Sequence, residues 1–281
     1  LKNMKIYKTK SEIIIEFKGE YFVSAETDWD VFINRDDLWA QVQKEIYQLS
    51  ASGDNEWFLE KELVAPIGSQ EVWAAGVTYL RSKVARMEES KESGGATFYD
   101  KVYDAERPEI FFKSTAGRVI GPMGKVRIRK DSTWDVPEPE LVLVIASSGK
   151  IIGYSIGNDM SSRSIEGENP LYLPQAKMYD GCAAVGPCVL VTEEPISPTT
   201  VIAISIERNG AVAFEGDVTI DMMKRKHAEL VEFLYREYSF AAGAYLMTGT
   251  CVVPDNTFTL QSGDVIKIKI EGIGELVNTV A

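Results

Sequence analysis

The chain holds a single histidine, His227, in 281 residues. That count excludes a mechanism needing two histidines, and it excludes a histidine-rich metal site. Cysteine is nearly as scarce. Cys182, Cys188 and Cys251 are an odd set, at spacings that suit neither a zinc pattern nor a disulfide framework. Buried free thiols in a reducing cytoplasm are therefore expected. Long apolar runs are missing too: the longest, residues 141–146, falls far short of the roughly 20 residues that cross a bilayer. No basic stretch followed by an apolar core opens the chain, so neither a membrane partner nor a secretory leader is expected. Positive charge is in deficit, with 30 Lys+Arg against 42 Asp+Glu and a net charge of -12. Nucleic-acid affinity rests on Lys and Arg neutralising phosphates, so no nucleic-acid partner is expected.

What is present is an ordinary globular composition, 45% hydrophobic and 26% charged, enough for a sizeable core in one or two domains. Residues 1–65 read as a small α+β unit. Segments 5–7, 13–17 and 21–23 are β-branched or aromatic, with polar or glycine breaks between them, which is a strand signature. Residues 36–49 predict a helix with Leu38, Val42, Ile46 and Leu49 on one face. Pro66-Ile67-Gly68 reads as the boundary to a second unit over 66–281.

In that second unit strands dominate, over 72–79, 110–113, 125–129, 141–146, 151–156, 201–207 and 212–215. The last two flank Asn209-Gly210, a strong hairpin signal. Residues 81–91 are a charged helix or loop, and 222–238 a helix that carries His227 as a packing or surface residue. Ile266, Ile268 and Ile270 alternate with charged residues as a half-buried strand. Strands and helices do not alternate as βαβαβ, so a doubly wound sheet is not expected. A mixed, mainly β fold, a large β-roll or sandwich with few helices, is.

The segment Asp135-Val-Pro-Glu-Pro-Glu140 runs into the apolar residues 141–145. Side chains alternate along a strand, so Glu138 and Glu140 share a face. Two carboxylates beside a buried strand repel, and they need a cation or a proton. The next strand ends in Gly157-Asn-Asp159, and a short hairpin through Ser148-Gly149 returns Asp159 beside the glutamates. Three carboxylates make a hard oxygen site suited to Mg²⁺, with Mn²⁺ or Ca²⁺ as substitutes, and not to zinc. A solvated strand edge is the alternative that the spacing leaves open.

Taken together, Glu138-Pro-Glu140, Gly157-Asn-Asp159-Met-Ser-Ser-Arg163, Lys177, Leu246-Met-Thr-Gly-Thr250 and Gly272-Ile-Gly-Glu-Leu resemble the fumarylacetoacetate hydrolase superfamily, in order from about Pro66 to the end. The resemblance implies a β-roll catalytic domain over 66–281 and a divalent cation, usually Mg²⁺, on Glu138, Glu140 and Asp159. It implies that Lys177 is the active-site lysine, and that Thr250, with the backbone at Gly249, holds the substrate carboxylate. Tyr79 and Ser82, in the stretch Gly76-Val-Thr-Tyr79-Leu-Arg-Ser82, fall where the family binds substrate. Arg163 either binds an anionic substrate group or pairs with a core carboxylate. Ser161 and Ser162 are expected to be structural.

The stretch after Gly76 lacks the histidine that β-diketone hydrolases of the superfamily use as a base. Residues 99–113, ending in Glu109-Ile-Phe-Phe-Lys113, and 168–177 resemble instead the branch that dehydrates 2-keto-3-deoxy-D-arabinonate to 2-oxoglutarate semialdehyde. That resemblance makes Glu109 an acid/base candidate and residues 81–106 a candidate lid. The expected function is Mg²⁺-dependent dehydration of a 2-keto acid by a cytoplasmic homodimer or homotetramer. The alternatives are the sister reactions (acylpyruvate or fumarylacetoacetate hydrolysis, oxaloacetate decarboxylation, isomerisation of an unsaturated dicarboxylate) and a binding protein without turnover.

Overall fold

The computed structural model describes residues 3–52, 62–89 and 96–281. Three short strands open the chain: β1 (Met4–Lys8), β2 (Ile13–Phe17) and β3 (Glu20–Val23). Helices α1 (Trp29–Ile33) and α2 (Leu38–Ile46) follow. Asp28 caps α1 by accepting from the N–H groups of Asp30 and Val31, and α2 buries the expected Leu38, Val42 and Ile46. Strand β4 (Glu71–Gly76) precedes the helices α3 (Leu80–Glu89) and α4 (Ala96–Asp104) and then β5 (Glu109–Thr115). The candidate lid is thus a helix pair, of which residues 90–95 lie outside the described residues. Four pieces follow that frame the centre of the molecule: β6 (Val119–Ile120), β7 (Lys125–Val126), β8 (Asp135–Val136) and β9 (Pro139–Ile145).

Strand β10 (Ile151–Asp159) returns antiparallel to β9, and β11 (Ser161–Ser162) leads into α5 (Arg163–Glu168) and α6 (Leu173–Lys177). The remainder is β12 (Ala183–Val191), β13 (Val201–Arg208), β14 (Ala211–Thr219), α7 (His227–Tyr235), β15 (Ala244–Met247), β16 (Val265–Ile270) and β17 (Gly274–Val280). Asn209 and Gly210 both take positive φ, 54° and 78°, as the tight turn between β13 and β14 requires. Helix α7 is shorter than the 222–238 expected, and β7 and β4 are shorter than 125–129 and 72–79. β4 stops because Val77, a β-branched residue, turns to φ 53°, a region such residues rarely enter.

The strands form two main sheets. The larger runs β3-β2-β1-β12-β10-β9-β15-β4-β5, and the smaller β14-β13-β16-β17-β7. The large sheet is mixed, with β15 parallel to β4 and β12 parallel to β6. Its alternation sorts the core into two layers. Leu141, Leu143 and Ile145 of β9 face the small sheet's Ile202, Ile204, Ile266 and Ile268. Val142 and Val144 face the other way, toward Trp29, Phe32, Leu38 and Val42. The first three strands are not set apart from the rest, because β1 pairs with β12 from Met4↔Val191 to Ile6↔Val189. Among the described residues, no helix is long and apolar enough to cross a membrane.

Candidate metal and active site

The register of β9 and β10 builds the carboxylate cluster. Glu140 pairs with Gly157 and Pro139 with Asn158, while the Asp159 N–H donates to the Glu138 carbonyl at 2.9 Å. Glu138 and Asp159 are therefore cross-strand neighbours on one face, and Glu140 is their diagonal partner. Glycine opposite Glu140 leaves this end tightly packed, since a Cβ at Gly157 would meet Val142 Cγ2 at 2.7 Å. All three carboxylates are buried, and each offers an oxygen within 4.8 Å of the others.

Three cationic side chains face them. Arg163 Nη2 donates to Glu138 Oε1 at 2.7 Å. Lys177 Nζ donates to Glu138 Oε2 at 2.8 Å, to Asp159 Oδ2 at 3.3 Å and to Ser161 Oγ at 2.5 Å. Lys113 Nζ forms an ion pair with Asp159 Oδ1 at 2.5 Å. Glu140 has no such partner among the described residues; its Oε2 accepts the Gly249 N–H at 2.6 Å. Burial, and then the charges of Asp159 and Glu138, push the Glu140 carboxyl well above its usual range, against the pull of Lys177 and the Gly249 N–H. A buried group this dependent on compensation calls for a cation. An all-oxygen donor set without His or Cys fits Mg²⁺ and not zinc.

A small cavity lies over the cluster. Of the residues singled out in the sequence, Glu138, Asp159, Arg163, Lys177, Ser82, Gly249 and Thr250 line it. Arg163 pairs with a core carboxylate, one of the two alternatives, and also lines the cavity. Thr250 Oγ1 is buried without a hydrogen-bond partner among the described residues, which leaves it free for a ligand. Gly249 lines the cavity, but its N–H is committed to Glu140. Glu109 sits one layer out: its Oε2 occupies the space beside Gly76, where a Cβ would come within 1.9 Å. Tyr79 is buried behind the wall, and its backbone carbonyl and N–H hold the Ser82 hydroxyl at 2.7 and 3.2 Å.

Two residues beside the cluster were not singled out by the sequence. Ser161, expected to be structural, accepts from Lys177 and donates to the Asp159 carbonyl at 3.0 Å. Lys113 was noticed only as the end of a motif. Parity was only a partial signal: Glu109 and Phe111 share a face of β5, but the register with β4 slips at Lys113, which the ladder skips. The lone His227 lines a separate cavity with Tyr154 and Lys150, and burial lowers its pKa to about 4.

Residues 71–281 match the model of the fumarylacetoacetate (FAA) hydrolase C-terminal family. A Haloferax volcanii protein named "Probable 2-keto-3-deoxyxylonate dehydratase" is 47% identical over 224 residues, 79% of this chain and 76% of its own. The 2-dehydro-3-deoxy-D-arabinonate dehydratase of Saccharolobus solfataricus is 44% identical over 220 residues, 78% of this chain and 74% of its own. A solved structure of 2-keto-3-deoxy-D-arabinonate dehydratase complexed with magnesium and 2,5-dioxopentanoate superposes with a TM-score of 0.84 at 34% identity, covering 99% of this chain and 98% of the other. With the carboxylate triad at the end of a mixed β-sheet and a match over most of its length, the chain belongs to the fumarylacetoacetate hydrolase family.

Proposed function

We propose that the chain is a Mg²⁺-dependent dehydratase of a 2-keto-3-deoxy sugar acid, converting 2-keto-3-deoxy-D-arabinonate to 2-oxoglutarate semialdehyde. One observation carries the reading beyond the family: an oxygen-only cluster with Lys177 at its centre, and the sole histidine in a different cavity. A water-activating histidine is absent from the site, whereas dehydration needs none. The dehydratases named above are similar over most of this chain.

Glu138, Glu140 and Asp159 would hold Mg²⁺, which when bound supplies the Lewis acidity that polarises a 2-keto group and acidifies its C3 protons. Arg163 and Thr250 bind the substrate carboxylate at the cavity wall, and Ser82, held by Tyr79, shapes the opposite side. Lys177, with acceptors on three sides, is aimed at the cluster and opposes the negative charge that grows as the C3 proton leaves. Glu109, across Gly76, takes that proton and returns it to the hydroxyl departing from C4, so that water is lost. The unsaturated acid then tautomerises at C5 to the aldehyde. The two-unit division at residue 65, a homodimer or homotetramer and a cytoplasmic location belong to the same reading.

The test offers metal-loaded protein a 2-keto-3-deoxypentonate, oxaloacetate and an acylpyruvate, and follows the products by mass spectrometry. Loss of water from the sugar acid is expected. Only loss of CO₂, or only gain of water, would replace the dehydratase by a sister activity. Glu140→Gln is expected to abolish Mg²⁺ dependence, and Glu109→Gln to lower kcat by roughly 100-fold, the scale of general acid–base catalysis.

A further inference from the structure

Strand β5, whose register with β4 slips at Lys113, brings one more charged side chain to the site than the reaction requires. Lys113 is completely buried, and a lone ammonium in such a place is costly unless its donors are used. Two of them are directed to carbonyls, and the charge is answered by a carboxylate. Besides the ion pair with Asp159 Oδ1 at 2.5 Å, Nζ donates to the Met160 carbonyl at 3.0 Å and to the Lys177 carbonyl at 2.5 Å. Two protons therefore go to the backbone, just after Asp159 and at the end of α6, while the charge itself is set against a carboxylate of the triad. The last contact also sets a cation against a helix C-terminus, where the carbonyls lack partners.

Resting on the metal-site reading above, we infer that Lys113 is a positioning residue for that site. It fixes the rotation of the Asp159 carboxylate, so that Oδ2 turns toward Lys177 at 3.3 Å while Oδ1 is held from behind. It also fixes the backbone of Lys177, whose own ammonium must then reach Glu138 at 2.8 Å. One side chain from β5 thereby sets both a metal ligand on β10 and the lysine on α6, elements that do not pair with each other. Lys113 does not line the cavity, so it acts through these two residues and not on the substrate.

The sign of the effect separates this role from a purely coulombic one. Removing a positive charge near a cation site tightens cation binding if charge is all that matters, whereas losing the positioning weakens it. The experiment titrates metal-free wild type, Lys113→Met and Lys113→Arg with Mn²⁺, reading free Mn²⁺ by electron paramagnetic resonance, and then measures kcat and KM. Lys113→Met is expected to weaken Mn²⁺ binding at least tenfold and to lower kcat more than it raises KM. Lys113→Arg keeps the charge in a planar fork that cannot keep the same two hydrogen bonds and ion pair, and is expected to fall between. Unchanged or tighter binding in Lys113→Met overturns the inference. If that variant does not fold, wild-type affinity in Lys113→Arg overturns it. A wild-type protein that binds no Mn²⁺ overturns the metal reading and this inference with it; wild-type binding with unaltered variants overturns this inference alone.

Discussion

At the scale of single residues, charge compensation decides what each group in the site can do. Glu138 and Asp159 are answered by Arg163, Lys177 and Lys113, while Glu140 has one backbone N–H. Glu140 is thus the ligand that most needs the cation, which is why its amide variant is the decisive one. His227 is the residue-scale test outside the site. It begins α7 with Nε2 buried and without a hydrogen-bond partner among the described residues; burial brings its pKa from 6.5 to about 4, and the positive end of the helix acts in the same direction. The folded state therefore binds fewer protons than the unfolded chain between those two values. Stability from this group is complete above pH 6.5 and is lost as pH falls toward 4, by at most about 3 kcal/mol, and by less where solvent reaches the ring. His227→Gln is expected to flatten that acid limb in urea denaturation at a series of pH values. An unchanged slope would assign the limb to the carboxylates.

At the scale of elements, the junction between β4 and the residues after β15 holds the site in shape. Val77 sits at φ 53°, a conformation that a β-branched residue keeps only where the surroundings enforce it, and Gly249 at φ 96°, a region that favours glycine. The enforcement is visible: Thr78 Oγ1 donates to the Thr248 carbonyl at 2.8 Å, and the Thr78 carbonyl accepts from the Lys224 N–H at 2.9 Å. A Cβ on Gly249 would lie 2.1 Å from Thr78 Oγ1 and 2.9 Å from the Ala75 carbonyl. Gly249→Ala must therefore part the two segments and swing its N–H off Glu140. A cost of about 1–3 kcal/mol is expected for the strain, seen as a Tm lower by several degrees, with weaker Mg²⁺ binding. Lost metal affinity at unchanged Tm would show that the junction yields without strain.

At the scale of the whole molecule, the two expected units share a sheet. β1 pairs with β12, β12 with β10, and β10 ends at Asp159. Trp29 Nε1 donates to the Tyr245 hydroxyl at 3.3 Å, and that hydroxyl donates to the Pro66 carbonyl at 2.5 Å. Cutting at residue 65 would expose the edge of β12 and the face bearing Val142 and Val144, and an apolar strand edge is an aggregation site. The fragment 66–281 is expected to aggregate or to lose its near-ultraviolet dichroism. A soluble, active fragment would establish the division at residue 65 as one of independent folding.

Local pattern was enough to establish a good deal. The Glu138/Glu140 spacing, the apolar run behind it, the return to Asp159 and the Asn209-Gly210 turn are short-range features, governed by strand alternation and turn conformation. They pointed to a mainly β fold and, with a solvated strand edge as the alternative, to an oxygen-ligand site; the single histidine, placed outside the site motifs, pointed to a chemistry without one. Lys113, Ser161 and the Thr78–Thr248 contact were not legible that way. Each matters only through a partner distant along the chain or on another element, such as the 46 positions from Lys113 to Asp159, and one sequence carries no record of which distant groups meet. Only the assembly of the large sheet decided that, among the described residues, Glu140 is the one carboxylate of the three without a cationic partner, and that Tyr79 stands behind the wall and not in it. Burial and long-range pairing, not residue type, set those roles.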